Sequence, residues 1–247
     1  MQIIPTYTGI IPYITSAQMI EVDRAMVEDY QIMLVQMMEN AGRALAELAR
    51  QRFLEGSPKG KQVLVIAGNG GNGGGALVCA RRLANFGAEV KILLSKYDID
   101  YVGVPGQQLS IINQMGIEPL FSYSQVENSD FDLIIDGLIG YSLQGAPRGT
   151  AAEIIDWVNE QNCSVLSLDI PSGLDADQGA IYEPAIKATA TLTLALPKIG
   201  MKTSAAKYYV GGLYLADISI PPGLYAREPL GLVVGNLFSE ADIIKLP

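Results

Sequence analysis

The chain has 247 residues, 49% of them hydrophobic, and a formal net charge of −9. Its length and apolar content suit one large core, and the acidic balance, with no long basic run, speaks against a nucleic-acid binder. Histidine is absent altogether, which excludes Ser–His–Asp and Cys–His catalysis and removes the commonest zinc ligand.

The opening stretch Met1–Tyr7 has neither the basic nor the apolar region of a signal peptide. No uninterrupted apolar run approaches the roughly 18 residues of a membrane span. Thr15-Ser-Ala-Gln18 reads as a capping box opening a helix with Met19, Val22, Met26 and Val27 roughly on one face. A second helical pattern covers Leu34–Leu48, and Glu55–Gly60 is a loop. The run Gln62–Ala67 reads as a strand buried on both faces. It breaks into Gly68-Asn-Gly-Gly-Asn-Gly-Gly-Gly75, and a helix predicted from Ala76 runs to a C′ glycine at Gly87. Six glycines exceed what a tight turn needs, so the run reads as a ligand loop. The following helix would aim free N–H groups at it.

Strand and helix then alternate. Strands are predicted at Glu89–Leu94, Phe131–Asp136, Ser164–Asp169, Thr189–Ala195 and Gly212–Asp217, with helices at Gly106–Met115 and Ala151–Asn159. This order implies a doubly wound, mainly parallel sheet, Rossmann-like, in a three-layer α/β/α sandwich. Residues 1–55 hold the N-terminal helices, 56–225 the α/β core and 226–247 a tail. Ser239-Glu-Ala-Asp carries a helix-start signal within that tail. The two cysteines, Cys79 and Cys163, sit in apolar contexts and read as reduced thiols of a cytoplasmic protein.

Three strands end in polar, glycine-bearing loops, Gly68–Gly75, Asp136–Gly149 and Asp169–Gly173, which a parallel sheet opens on one edge. Asp136 and Asp169 close two of these strands. Asn72, Asp136 and Ser172 offer the oxygen ligands that a hard cation prefers, although such residues in loops also satisfy backbone groups. Gly68-x-Gly-x-x-Gly73 matches the dinucleotide fingerprint, yet Lys96 stands where that fingerprint wants an acid. An NAD(P)-dependent dehydrogenase is therefore the second reading.

These residues resemble the NAD(P)H-hydrate epimerase domain, often called the YjeF N-terminal domain. The resemblance rests on Tyr13–Ala25, Leu34–Arg43, Ala67–Leu77, Asp132–Gly145 and Leu168–Asp175. It implies an isomerase of nicotinamide nucleotide repair that interconverts the R and S forms of hydrated NADH and NADPH (NADHX and NADPHX). It further implies a substrate held by Gly71, Asn72, Gly73, Gly74 and Gly75 with Gly140, Tyr141, Ser142, Leu143, Gln144, Gly145 and Ala146. Asp169 would contact the substrate, and because inversion needs one proton given and taken back it is the candidate catalytic carboxylate, with Lys96 either its helper or a solvated lysine at a strand end. A potassium ion would sit on Asn72, Asp136 and Ser172, and a homodimer is expected. The chain departs from the family at Gly71, Gly75, Ala76 and Gln144. The missing family aspartate at Gly75 raises a third reading, a degenerate nucleotide-binding or interaction domain. The stretch Gly235–Pro247 is similar to the linker that leads into an ATP- or ADP-dependent dehydratase domain in bifunctional members.

Overall fold

A computed structural model of the chain describes residues 4–126 and 129–247; Met1, Gln2 and Ile3 of the opening stretch lie outside them. Strands β1 (Gln62–Ala67), β2 (Glu89–Leu94), β3 (Leu133–Gly137), β4 (Ser164–Leu168), β5 (Ala190–Leu194), β6 (Gly212–Ala216) and β7 (Ile243–Lys245) form one sheet. Its order is β2-β1-β3-β4-β5-β6-β7, parallel everywhere except at the β6–β7 pair. This is the 2-1-3-4-5 form of the doubly wound fold, with its switch point between β1 and β3.

The alternation along β1 explains the layers. Val63, Val65 and Ala67 face helices α2 (Leu34–Arg52), α3 (Gly71–Asn85) and α4 (Gly103–Gln114). Leu64 and Ile66 face α5 (Thr150–Asn159), which presents Ile154, Ile155, Trp157 and Val158 to the other side of the sheet. Helix α1 (Ser16–Glu28) packs over the β5–β6 end through Met19, Val22 and Met26. Its capping box forms as expected, with Gln18 N–H donating to Thr15 Oγ1 at 3.2 Å and Thr15 N–H to Gln18 Oε1 at 3.0 Å. Ala25 takes the buried place expected for Val27, which is half-buried.

Two expectations fail for physical reasons. Helix α3 begins at Gly71, not Ala76, so four of the loop glycines are helical, and the last three of them are buried. They serve close packing. A Cβ on Gly73 would lie 1.7 Å from the Gly68 carbonyl oxygen, and one on Gly74 2.5 Å from Met38 Sδ. Ser239 starts no helix: Ile243–Lys245 joins the sheet as β7, because Ile243, Ile244 and Leu246 are buried there. On its other side β7 meets the N-terminal segment, where Tyr7 N–H donates to the Lys245 carbonyl at 2.9 Å and Lys245 N–H to the Pro5 carbonyl at 2.8 Å.

Candidate active site

At the carboxyl edge of β1, β3 and β4 a cavity of about 500 Å³ opens between the sheet and helices α1 and α2. One wall is apolar, made by Met19, Leu34, Met37, Met38 and Ala41. The other is polar and comes from the strand ends: Asn69, Gly70, Gly71 and Asn72 after β1, Gly140, Tyr141 and Ser142 after β3, and Asp169 after β4. Gly70 caps α3 without a side chain, so the first amides of a 15-residue helix remain available to an anionic ligand. A Cβ at Gly70 or Gly71 would meet nothing within 4 Å, which marks these two as the open glycines of the run.

Asp169 lies at the floor with φ +65°, a left-handed conformation that Asp tolerates better than most side chains. Its N–H donates to the Leu192 carbonyl at 2.7 Å. Its Oδ1 accepts from the Lys198 ammonium, from Leu194 N–H at 3.1 Å and from Thr193 Oγ1 at 3.3 Å. Lys198 is wholly buried, and its Nζ also donates to the Leu194 carbonyl at 3.0 Å. Asp169 Oδ2 has no hydrogen-bond partner among the described residues. A buried acid–lysine pair with one free carboxylate oxygen can take up and return a proton.

Lys198, four residues past β5 and outside every motif, is the lysine of the site. Lys96 is exposed and lines no part of the cavity. Of its two readings the solvated one holds, because β2 is the edge strand and its end turns to solvent. Leu143, Gln144, Gly145 and Ala146 likewise stand outside the cavity wall, and Gly73 and Gly74 are buried behind it; Gly75 reaches it. Within the glycine loop Asn69 and Gly70 line the cavity beyond the substrate expectation, and so do Asp23, Lys198 and the apolar residues of α1 and α2.

Behind the wall, Asp136, Ser172 and Asn72 do come together. Asp136 is buried and accepts four hydrogen bonds: Ser172 Oγ at 2.6 Å, Ser167 Oγ at 2.7 Å, Ser172 N–H at 3.0 Å and Leu138 N–H at 3.2 Å. Burial pushes its carboxyl above the ordinary range, against the pull of those donors. Asn72 Nδ2 donates to the carbonyls of Leu168 at 3.0 Å and Ile139 at 3.3 Å, and Ser172 Oγ reaches the same Ile139 carbonyl at 3.3 Å. The network ties the three loops into one rim.

Loops from three parallel strands, a free helix terminus and a buried acid–lysine pair define a ligand-binding α/β protein of the doubly wound class, equipped for proton transfer. Comparison with known proteins narrows this. A profile described as YjeF-related protein N-terminus matches residues 34–200. The NAD(P)H-hydrate epimerase of Dehalogenimonas lykanthroporepellens is 45% identical over 217 residues, 88% of this chain and 86% of that protein. The bifunctional NAD(P)H-hydrate repair enzyme Nnr of Moorella thermoacetica is 36% identical over 222 residues, 87% of this chain but 42% of its own length. The crystal structure of yeast YNL200c matches with a TM-score of 0.77 at 27% identity, covering 96% of this chain and all of that one. The chain belongs to the YjeF-related N-terminal family.

Proposed function

We propose that this chain is an isomerase that epimerises NADHX and NADPHX at C6 of the hydrated nicotinamide ring. The observation that carries the reading is the Asp169–Lys198 pair at the floor of a cavity whose rim is the amino end of α3. Relatives of up to 45% identity that are named NAD(P)H-hydrate epimerase support it.

Inversion at C6 needs transient loss of the hydroxyl, or ring opening, with re-addition on the other face, and loss of the hydroxyl asks least of the protein. Once a proton reaches the hydroxyl oxygen, the ring-nitrogen lone pair expels water and a C6=N1 iminium forms. Water then adds from the opposite side and releases a proton. No electrons enter or leave, so the protein needs only groups that give and take one proton. Asp169 Oδ2 is the free acceptor, and Lys198 holds the carboxylate oriented through Oδ1.

We further propose that Asn72, Asp136 and Ser172 hold a potassium ion. The three residues share one network and each carries an oxygen of the kind such an ion takes, Asn72 through Oδ1 while its Nδ2 donates to the Leu168 and Ile139 carbonyls. When bound, the ion supplies positive charge beside the buried Asp136. Since Asp136 carries the only formal charge of the set, Asp136→Asn should abolish stabilisation by KCl over choline chloride at equal ionic strength. An undiminished potassium effect in that variant would exclude the site.

Chromatography that resolves the two epimers tests the function directly. Starting from one enriched epimer, the protein should speed the approach to the equilibrium mixture, and Asp169→Asn should slow it on the order of 100-fold or more. Steady oxidation of unmodified NADH with a carbonyl compound would favour the dehydrogenase reading instead. Tight NADP binding without epimerisation would favour a degenerate domain. We also propose a cytoplasmic homodimer, the setting supported by free thiols at Cys79 and Cys163; size-exclusion chromatography checks the pairing. The mixed epimers would feed an ATP- or ADP-dependent dehydratase that takes one of them, whether on the same polypeptide or another.

A further inference from the structure

Inversion places two oxygen atoms on opposite faces of C6, one leaving and one arriving. A fixed side chain serves an oxygen only within hydrogen-bond reach, about 2.6–3.2 Å, so one carboxylate cannot attend both faces of a held ring. Among the described lining residues of the cavity, three carry charge: Asp169, Lys198 and Asp23. Asp23 stands on α1, a helix that covers the cavity, whereas Asp169 directly follows β4 and Lys198 lies four residues past β5. The Tyr141 hydroxyl donates to Asp23 Oδ2 at 2.7 Å, and the Lys198 ammonium lies 5.9 Å from the centre of the Tyr141 ring. Asp169, Lys198, Tyr141 and Asp23 thus form a polar series that joins two walls of an otherwise largely apolar pocket. Burial lifts the Asp23 carboxyl above the ordinary Asp range and the charge of Asp169 adds to the lift, against the Tyr141 hydrogen bond and the charge of Lys198, which pull it down. Asp23 therefore keeps a proton to higher pH than an ordinary carboxyl does, which suits an acid opposite a base.

We infer that Asp23, oriented by Tyr141, is the second acid–base group of the site, so that epimerisation runs between two carboxyl groups on opposite walls. The inference rests on the epimerase reading above. With Asp23 protonated and Asp169 ionised, one epimer loses water as Asp23 gives its proton to the departing hydroxyl. The arriving water then gives a proton to Asp169. The product state, Asp23 ionised and Asp169 protonated, is the one that turns over the other epimer. Proton and water balance in each direction, and exchange with solvent resets the enzyme.

Oxygen-isotope exchange tests this. In H₂¹⁸O, wild type should put label into the C6 hydroxyl of both epimers while inverting them. Asp23→Asn should lose inversion in both directions by 100-fold or more, yet still exchange label into the single epimer whose hydroxyl faces Asp169. Asp169→Asn should show the converse, exchange into the other epimer alone. Tyr141→Phe removes the hydrogen bond that holds Asp23 and lowers its pKa, so it should slow inversion and move to higher pH the limb that Asp23 sets: the alkaline limb for the epimer it protonates and the acid limb for the other. Wild-type inversion rates in Asp23→Asn would overturn the inference, as would loss of exchange into both epimers in a variant that still melts cooperatively. A wild type that neither inverts nor exchanges would refute the epimerase reading itself, a distinguishable failure.

Discussion

Individual residues divide sharply in what the sequence discloses. Asp136 and Asp169 are legible because each ends an apolar run, and such an end is where parallel sheets keep their ligands. Lys198 is hidden: it follows a proline in an irregular segment, 29 positions from its partner. Asp23 hides in an amphipathic helix, though its place four residues after buried Met19 sets it at the edge of the buried face. The Asp169–Lys198 pair invites a stability test. Lys198→Met leaves a buried carboxylate without its cation and should cost about 3–5 kcal/mol, whereas Asp169→Asn with Lys198→Met should cost less than the sum of the single changes. Urea midpoints of the four proteins measure the coupling, and additive losses would mean that the pair does not act as a unit. The pH dependence of Asp23 has a definite sign. A carboxyl lifted above its ordinary value of 3.8 takes up a proton on folding. Its contribution is complete below that value and is lost as pH rises through the lifted one. The melting temperature of wild type relative to Asp23→Asn should accordingly fall between acid and neutral pH, and a flat or rising difference would contradict the assignment.

Elements were legible where hydrophobic period decides them and illegible where packing does. The strands β1 to β6 announce themselves as apolar runs between polar breaks, and α5 as a 3.6-residue pattern. The start of α3 could not be placed because glycine signals a loop in sequence, while here it lets a helix press against backbone. Strand β7 spans only three residues, too short for any period to register. The dual use of the glycines sets the outcome at Gly75. A Cβ there would come within 2.8 Å of Leu168 Cδ2, the far end of a side chain that can rotate. Gly75→Asp should therefore fold, at a loss of about 1–3 kcal/mol from overpacking. If the family carboxylate helps orient the substrate, the variant should epimerise faster. An unchanged rate would make Gly75 a tolerated variation. Gly73→Ala, which would collide with the Gly68 carbonyl, should fail to give soluble protein.

At the scale of the whole molecule, class and layering followed from alternation of strand and helix, whereas the cavity did not, because its apolar wall comes from α1 and α2, far from the loops in sequence. A ligand seated there binds the native state alone and must raise apparent stability. NADP at 100 times its Kd should add about 2.7 kcal/mol, a melting shift of roughly 5–10 °C for a chain of this size. The absence of any shift at millimolar NADP would argue against a nucleotide site. The meeting of Pro5–Tyr7 with β7 has a consequence of its own. Both ends of the described chain leave from the far edge of the sheet, five strand spacings from β1, or about 24 Å. The cavity reaches toward that edge, since Leu194 at the end of β5 and Ile218 after β6 both line it, so a domain fused at either end would be joined close to the β6 side of the cavity. The length of the tether would then set how far a product released from the cavity has to travel to a site on such a domain.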